Sequence, residues 1–336
     1  MTDRILKWGL LSTARINRAI IPPLGELARH EVTAVASRSG ERARAFAARW
    51  DIPRAHAGYE ALLADPDVDV VYVPLPNSLH AEWTIKAARA GKHVLCEKPL
   101  ALTPGEVDRI GEAADRHGVV VSEAFMYRHH PQTLEARRLI VEERALGDIV
   151  LLHGTFTFRL ADRDNIRFDP GLGGGALWDV GCYPVSWMRF LLGADPEEVF
   201  GWARLSAEGV DEALSAQLRF ASGVIGSLDC AFIAPYRASL EVIGSEGSLS
   251  LPRPYKPGER SEIVLTRQDA SERLVFPGQM PYAGEIEDMA DAVLLGTPPT
   301  IPLAESRGNV RTLKAILHSA RVGRPVQPAG MPDDEV

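Results

Sequence analysis

Cysteine is scarce in this chain: Cys96, Cys182 and Cys230 are the only three in 336 residues. An odd, widely spaced set is neither a disulfide framework nor a zinc-ligand pattern, and it suits a reducing compartment. Basic charge is also short, with 37 lysines and arginines against 45 acids and a formal net charge of −8. That balance argues against nucleic acid as a bulk electrostatic partner. No apolar run approaches a membrane span, so no membrane partner is expected. The opening stretch from Met1 to Trp8 lacks the apolar core of a secretory leader, and a cytoplasmic location is expected. The nine histidines show no helical pairing with acids, so no metal site is expected. Repeats and low-complexity segments are missing as well. What is present is ordinary globular composition, 46% apolar and 24% charged, at a length that suits two domains.

The first part of the chain alternates between strand and helix patterns. Residues 5–11 read as a strand, followed by a helix that opens at Ser12-Thr13-Ala14-Arg15-Ile16 and runs to about Arg29. A second strand covers 31–37, a short one lies near 54–56, and a confident one spans 68–73. The first strand–helix turn, Gly9-Leu10-Leu11-Ser12-Thr13-Ala14, is a degraded glycine-rich dinucleotide loop. In the intact pattern one glycine makes the tight turn and another lets a pyrophosphate approach a helix N-terminus. Ser12 and Ala14 are small substitutes for the later glycines. Gly9, Ser12, Thr13, Ala14, Arg15 and Ile16 are therefore candidate cofactor residues.

The end of the second strand bears on which cofactor. A free ribose 2′-hydroxyl is usually met there by Asp or Glu; this chain has Ser37-Arg38, with Arg42 one helical turn on. A guanidinium can pair with a 2′-phosphate and stack on adenine, so NADP(H) is expected, with NAD(H) the alternative. The plainer reading is that Arg38 and Arg42 are solvated surface charges.

The strand at 68–73 runs into Pro74-Leu75-Pro76-Asn77-Ser78-Leu79-His80, a rigid rim suited to the nicotinamide side. Leu75, Pro76, Asn77 and His80 are candidates there, although Asn77 or Ser78 serves equally well as a helix N-cap. The next strand, Val94-Leu95-Cys96, ends in Glu97-Lys98-Pro99. Open α/β sheets bind ligands beyond the carboxyl ends of their strands. Proline keeps the preceding residue out of helical conformation, so Lys98 is aimed rather than left to fray. A helix over 103–117 and a strand over 119–122 complete the unit, and 123–131 reads as a hinge. In that hinge Tyr127, Arg128 and His130 could face the cleft, with Tyr127 and Arg128 the candidate substrate contacts; the alternative is packing at a domain junction. The expected division is 1–123 and 124–336.

Beyond the hinge, a helix over 131–141 gives way to a period of two at 149–158, 199–205, 213–220, 224–232, 238–243, 247–251 and 263–266. Strands this close together, joined by Ala221-Ser222-Gly223 and Gly244-Ser245-Glu246-Gly247, predict a mostly antiparallel sheet. One face needs covering helices, and the other is free to make a homo-oligomer. A surface excursion is read from Pro252 to Arg260, and helices over 284–295 and 304–322. The fold expected is α/β: a dinucleotide-binding domain followed by an α+β domain with a large open sheet. Within the second part, Arg167 precedes Gly173-Gly174-Gly175, with Asp179 and Tyr183 following. Three glycines permit a turn that bulky residues could not make, and a four-residue spacing puts Asp179 and Tyr183 on one helical face. The bland alternative is an acid near a helix N-terminus and a packed tyrosine.

Taken together, the Gly9 loop, Glu97-Lys98-Pro99 and the Gly173-Gly174-Gly175…Asp179…Tyr183 run resemble the Gfo/Idh/MocA oxidoreductases. The resemblance implies a Rossmann domain, NAD(P) chemistry on sugars, inositols and related polyols, and a C-terminal sheet that mediates a homodimer or homotetramer. It implies Lys98, Asp179 and Tyr183 as the catalytic set; Tyr127, Arg128 and Arg167 are further candidates for holding the substrate. Many members carry histidine where this chain has Tyr183. The tyrosine form is similar to the branch containing NADP-dependent D-xylose 1-dehydrogenases and dimeric dihydrodiol dehydrogenases. On this reading hydride passes between the nicotinamide and a carbinol carbon of a cyclic sugar, most simply aldose C1 going to a lactone. Tyr183 takes the hydroxyl proton; a phenol with a pKa of about 10 is a poor base, and a neighbouring ammonium favours its ionised form. Asp179 holds a second hydroxyl or orients Lys98. The alternatives are a keto-sugar reductase or a trans-dihydrodiol dehydrogenase using the same residues, and a non-catalytic NADP-binding regulator.

Overall fold

The computed structural model describes residues 4–258, 260–268 and 270–334. Met1, Thr2 and Asp3 of the opening stretch, and Glu259 of the Pro252 to Arg260 excursion, lie outside the described residues. The chain divides into two compact units.

The first unit holds a six-stranded parallel sheet of β1 (Leu6–Leu11), β2 (His30–Ser37), β3 (Arg54–Ala57), β4 (Val70–Val73), β5 (His93–Glu97) and β6 (Val121–Ala124). Their spatial order is β3-β2-β1-β4-β5-β6, the doubly wound Rossmann order. All four residues of β4, and Val94-Leu95-Cys96 of β5, are buried. Continuous apolar strands of this kind need helices on both faces. Those are α1 (Asn17–Glu26), α2 (Gly40–Arg49), α3 (Tyr59–Leu63), α4 (Asn77–Arg89) and α5 (Pro104–His117). In the core, Trp8 Nε1 donates to His30 Nδ1 at 3.0 Å.

Three details differ from the sequence reading. First, α1 stops at Glu26 rather than near Arg29, because Leu27 turns extended and leads into β2. Second, Gly9 lies inside β1 and not in the turn; a Cβ there would sit 2.8 Å from Leu62 Cδ2 and 2.9 Å from Val68 Cγ1. Its smallness serves packing of β1 against those two side chains. Third, the first unit also contains Tyr282–Ser306, so the division at 123/124 misplaces that segment. Its helix α8 (Ala283–Leu295) packs on α1 and is tied by Arg29, whose guanidinium donates to Glu287 and, at 2.7 Å, to Asp291 Oδ1. Nothing in local periodicity reports so distant a pairing.

The second unit contains helix α6 (Pro131–Arg137), continued by a π-type turn over Arg138–Glu142, and an eight-stranded sheet. Its strands are β7 (Ile149–Arg159), β8 (Glu198–Leu205), β9 (Asp211–Arg219), β10 (Ile225–Ala231), β11 (Ile233–Gly244), β12 (Ser248–Leu251), β13 (Arg260–Arg267) and β14 (Ala270–Pro277), in the order β14-β13-β12-β11-β7-β10-β9-β8. β7 and β10 run parallel and the remaining pairs antiparallel. Helix α7 (Cys182–Leu192) covers β7 and β10, approaching closely because Gly154 and Gly226 leave room for Pro184 and Met188. The final helix is α9 (Leu303–Val322). β14 escaped the sequence reading: it is an edge strand whose Arg273 pairs with Glu262 across the ladder, and charges of that kind guard edges while masking strand periodicity.

Gly9→Ala overfills the space under β1 and should cost about 1–3 kcal/mol of stability. Urea unfolding measures this, and an unchanged midpoint would show that Leu62 and Val68 can give way.

Candidate active site

In the first unit, β1 and β4 are the neighbours at which strand order reverses, the place where such sheets bind ligands. Ser12 closes the β1 end with φ 150°, a backbone setting glycine adopts easily. Its hydroxyl accepts the Ala14 N–H at 3.1 Å and lies 3.5 Å from the Pro74 carbonyl at the end of β4. Asn17, fully buried, donates from Nδ2 to the Ser12 carbonyl at 2.7 Å and so ties the turn to α1. Thr13, Ala14 and Ile16 are half-buried in this turn and Arg15 is exposed. A tight turn with a glycine-like residue at the start of a helix fits a pyrophosphate. At the end of β2, Ser37 is buried and its hydroxyl accepts the Ser39 N–H at 3.3 Å. Arg38 is exposed and hydrogen-bonds the Tyr59 hydroxyl, which burial nonetheless holds above its ordinary pKa. Tyr59 stands edge-on to Trp83 at 4.9 Å, and Arg42 is exposed in the first turn of α2. Exposed guanidinium groups beside an aromatic pair fit the phosphate and ring of an adenosine 2′-phosphate.

Lys98 follows β5 and is half-buried, and the Lys98–Pro99 peptide is cis. Two side chains hold the segment after it. His80, itself buried, meets the Pro99 carbonyl from Nδ1 and the Leu75 carbonyl from Nε2, each at 2.7 Å. Burial pushes its pKa down and the two carbonyls pull it up, with the Lys98 ammonium adding to the downward push. His80, expected among the cofactor contacts, is thus a strap joining the β4 and β5 ends. Pro76 and Asn77 are half-buried on the same rim. The α4 helix starts at Asn77 with Pro76 in the cap position and no side-chain cap bond, so neither Asn77 nor Ser78 is the N-cap. On the other side, Glu123 at the end of β6 accepts the Leu100 N–H at 2.9 Å.

Around Glu97 lies an acidic cluster that sequence reasoning missed. Tyr72 donates to Glu97 Oε1 at 2.6 Å. Glu285 of α8 is buried, and both carboxyl oxygens lack a hydrogen-bond partner among the described residues. Burial, then the Glu97 charge, raise its pKa well above the ordinary carboxyl range. The same two influences, burial first, raise Tyr72 and Tyr282. The surroundings of Glu285 therefore favour its neutral form over the carboxylate.

In the second unit, Asp179 is gripped by Arg167: Nε donates to Oδ2 at 2.6 Å and Nη2 to Oδ1 at 3.2 Å. The glycine run folds back on the same turn, Gly174 N donating to the Asp169 carbonyl and Gly175 N to the Arg167 carbonyl, each at 2.9 Å. A Cβ on Gly174 would strike both of those carbonyls. Asp179 sits in a π-type turn, Leu177–Gly181, that runs directly into α7. The regular α-helix expected through Asp179 and Tyr183 is absent because Pro184 has no N–H to complete the ladder. Tyr183 is buried among the rings of Phe156 (5.5 Å), Tyr255 (5.6 Å) and Tyr127 (5.9 Å). Tyr127 is buried, donates to Ser186 Oγ at 2.8 Å and stacks on Trp187. Arg128 is buried with its guanidinium 3.6 Å above the Phe190 ring. These two expected substrate residues are thus engaged in the unit's own packing.

The two units can be compared with known proteins. Residues 6–125 match a family described as oxidoreductases with an NAD-binding Rossmann fold, and residues 133–250 match the Gfo/Idh/MocA C-terminal domain. The chain belongs to the Gfo/Idh/MocA oxidoreductase family. It is 38% identical over 326 residues to D-xylose 1-dehydrogenase (NADP(+)) 2 of Haloferax volcanii, covering 96% of this chain and 99% of that one. It is 34% identical over 311 residues to the trans-1,2-dihydrobenzene-1,2-diol dehydrogenase of Xenopus laevis, covering 89% and 93%. The crystal structure of a 3-ketoreductase from Actinomadura kijaniata, in complex with NADP and TDP-benzene, matches with a TM-score of 0.89 at 35% identity, covering 94% and 98%. The expected family and the α/β fold class are both borne out.

Glu285→Gln removes a buried acid whose folded-state pKa is raised. The wild type therefore loses stability as pH rises above the unfolded-state carboxyl value, and the variant should not. Its melting temperature should exceed that of the wild type at pH 8, with the gap narrowing towards pH 4. Parallel melting curves would refute the buried neutral acid.

Proposed function

We propose that this protein is an NADP(H)-dependent dehydrogenase of a cyclic sugar, oxidising an aldose at C1 to a lactone. The observation that carries the reading is the pinned Lys98 segment, in a family member that also keeps the Gly173-Gly174-Gly175…Asp179…Tyr183 run. Arg38 and Arg42 would hold the 2′-phosphate, and the β1–α1 turn from Ser12 to Ile16 the pyrophosphate. Leu75, Pro76, Asn77 and Glu97 would border the nicotinamide, which when bound supplies the hydride acceptor.

In oxidation the carbinol O–H proton would pass to the ionised oxygen of Tyr183 while the C–H electrons leave as hydride, for which the nicotinamide would be the acceptor, and a C=O forms. Lys98 donates a hydrogen bond to the reacting oxygen and stabilises charge that develops on it. Asp179, its carboxylate oriented by Arg167, accepts from a second sugar hydroxyl. Arg167 therefore acts through Asp179, a narrower role than the direct substrate contact expected.

The reverse reaction, reduction of a keto sugar by the same residues, is the second reading, favoured by the likeness to a 3-ketoreductase. A homodimer or homotetramer through the outer face of the large sheet is part of the proposal. The register partners Leu151 and Ile225 are both exposed there, and so is Trp202 of β8. A cytoplasmic location also belongs to it. Among the described residues, no helix is long and apolar enough to cross a membrane.

Absorbance of reduced cofactor, followed with NADP and NAD against aldoses, inositols, dihydrodiols and keto sugars, tests the reading. NADP-dependent oxidation of a pentose or hexose is expected; keto-sugar reduction with silence on aldoses would select the second reading. Lys98→Ala and Tyr183→Phe should each lower kcat by about 10²–10⁴-fold while leaving NADPH affinity within a few-fold. Near-full turnover in Lys98→Ala would sink the assignment.

A further inference from the structure

Asp211 opens β9 and is buried, yet the groups that hold it are backbone amides. Its Oδ2 accepts the Leu177 N–H at 2.7 Å, and the amides of Ala176 and of Asp211 itself also donate to the carboxylate. Ala176 and Leu177 begin the π-type turn that carries Asp179 and leads to Tyr183. Gly175 has φ +123°, and a Cβ there would collide with Asp211 Oδ1, so the carboxylate and the last glycine of the run are fitted to each other. The Gly175 carbonyl in turn accepts the Asp179 N–H at 3.1 Å. A carboxylate at this end of a helix also meets the positive end of its dipole.

We propose that Asp211 is a positioning residue for the hydride-transfer reaction: its carboxylate seats the turn from which Asp179 and Tyr183 project. This rests on the reading of those two residues given above. It explains why the glycine run must end in glycine, which the motif alone does not.

Burial raises the Asp211 pKa to about 7, against the amides that lower it. The groups around it are the Cys230 thiol on β10, itself pushed well above its ordinary value by burial first, and Cys182 of α7 beside that thiol. The adjacent Glu212 is taken up by Arg163 at 3.0 Å and Arg204 at 2.9 Å. The seat therefore weakens as Asp211 takes up a proton, since a neutral acid is a poorer acceptor for N–H groups than a carboxylate.

The test uses the full-length enzyme and the variants Asp211→Ala and Asp211→Asn. Asp211→Ala should lower kcat by about 10–100-fold with NADPH affinity unchanged. Asp211→Asn, neutral like the protonated acid but still holding one acceptor oxygen, should match the wild-type rate well below pH 7, fall short of it above pH 7, and lose the wild-type inflection in kcat near pH 7. Wild-type kcat in a folded Asp211→Ala, or an unchanged inflection in Asp211→Asn, would overturn the proposal. Should Asp211→Ala fail to fold, Asp211→Asn carries the test. Amide hydrogen exchange at Ala176 and Leu177 needs no turnover: it should speed up at least about tenfold in Asp211→Ala, in proportion to the lost cap, and unchanged exchange refutes the seat. A fully active Tyr183→Phe would instead overturn the catalytic reading and leave the exchange result to judge Asp211.

Discussion

The segment after β5 is held by two side chains that bond backbone groups. His80 meets the carbonyls of Leu75 and Pro99, and Glu123 accepts the amide of Leu100, so the backbone on the far side of Lys98 is fixed from two directions. A lysine side chain carries roughly 2 kcal/mol of rotamer entropy. Fixing the backbone from which it springs reduces what remains to be ordered if, as proposed, Lys98 meets the reacting oxygen. The rest of the first unit follows from that need: β4, β5 and β6 must be adjacent for their three ends to supply His80's target, Lys98 and Glu123, and the observed strand order makes them so.

Burial of acids is the second recurring device. Glu285 near Glu97, and Asp211 under the glycine run, are both pushed towards the neutral form by removal from water. They differ in what opposes that push. Asp211 has three backbone donors that oppose the push and rises to about 7, whereas Glu285 has no hydrogen-bond partner among the described residues to oppose it. Donors, not burial alone, decide whether a buried acid is a charge or a neutral group at pH 7. An exposed position would let either residue ionise freely and lose the distinction.

The fold was legible because its signals are local and redundant. An apolar run such as Val70–Val73 suits a doubly covered parallel strand, and closely spaced strand segments joined by glycine turns suit an antiparallel sheet. The proposed site residues were picked out for a related reason: Glu97-Lys98-Pro99 and the glycine run are each contiguous in sequence. What escaped was long-range. Arg29 meets Glu287 and Asp291 across some 260 residues, which places α8 in the first unit. Tyr72 reaches Glu97 over 25, and Asp211 reaches Leu177 over 34. A polar residue at the start of a strand looks identical in sequence whether it faces water or caps another element.

That contrast separates two kinds of constraint on one turn. Gly174 is required by two carbonyls, those of Arg167 and Asp169, that belong to its own loop. Gly175 is required by a carboxylate from a different strand. The first is a condition on a short segment and can be satisfied before the sheet is assembled. The second is met only when the start of β9, where Asp211 lies opposite Leu205 of β8, has been brought to the amide of Leu177. The turn bearing Asp179 and Tyr183 is therefore completed by the sheet, and its geometry inherits the rigidity of an eight-stranded ladder rather than that of a glycine-rich loop.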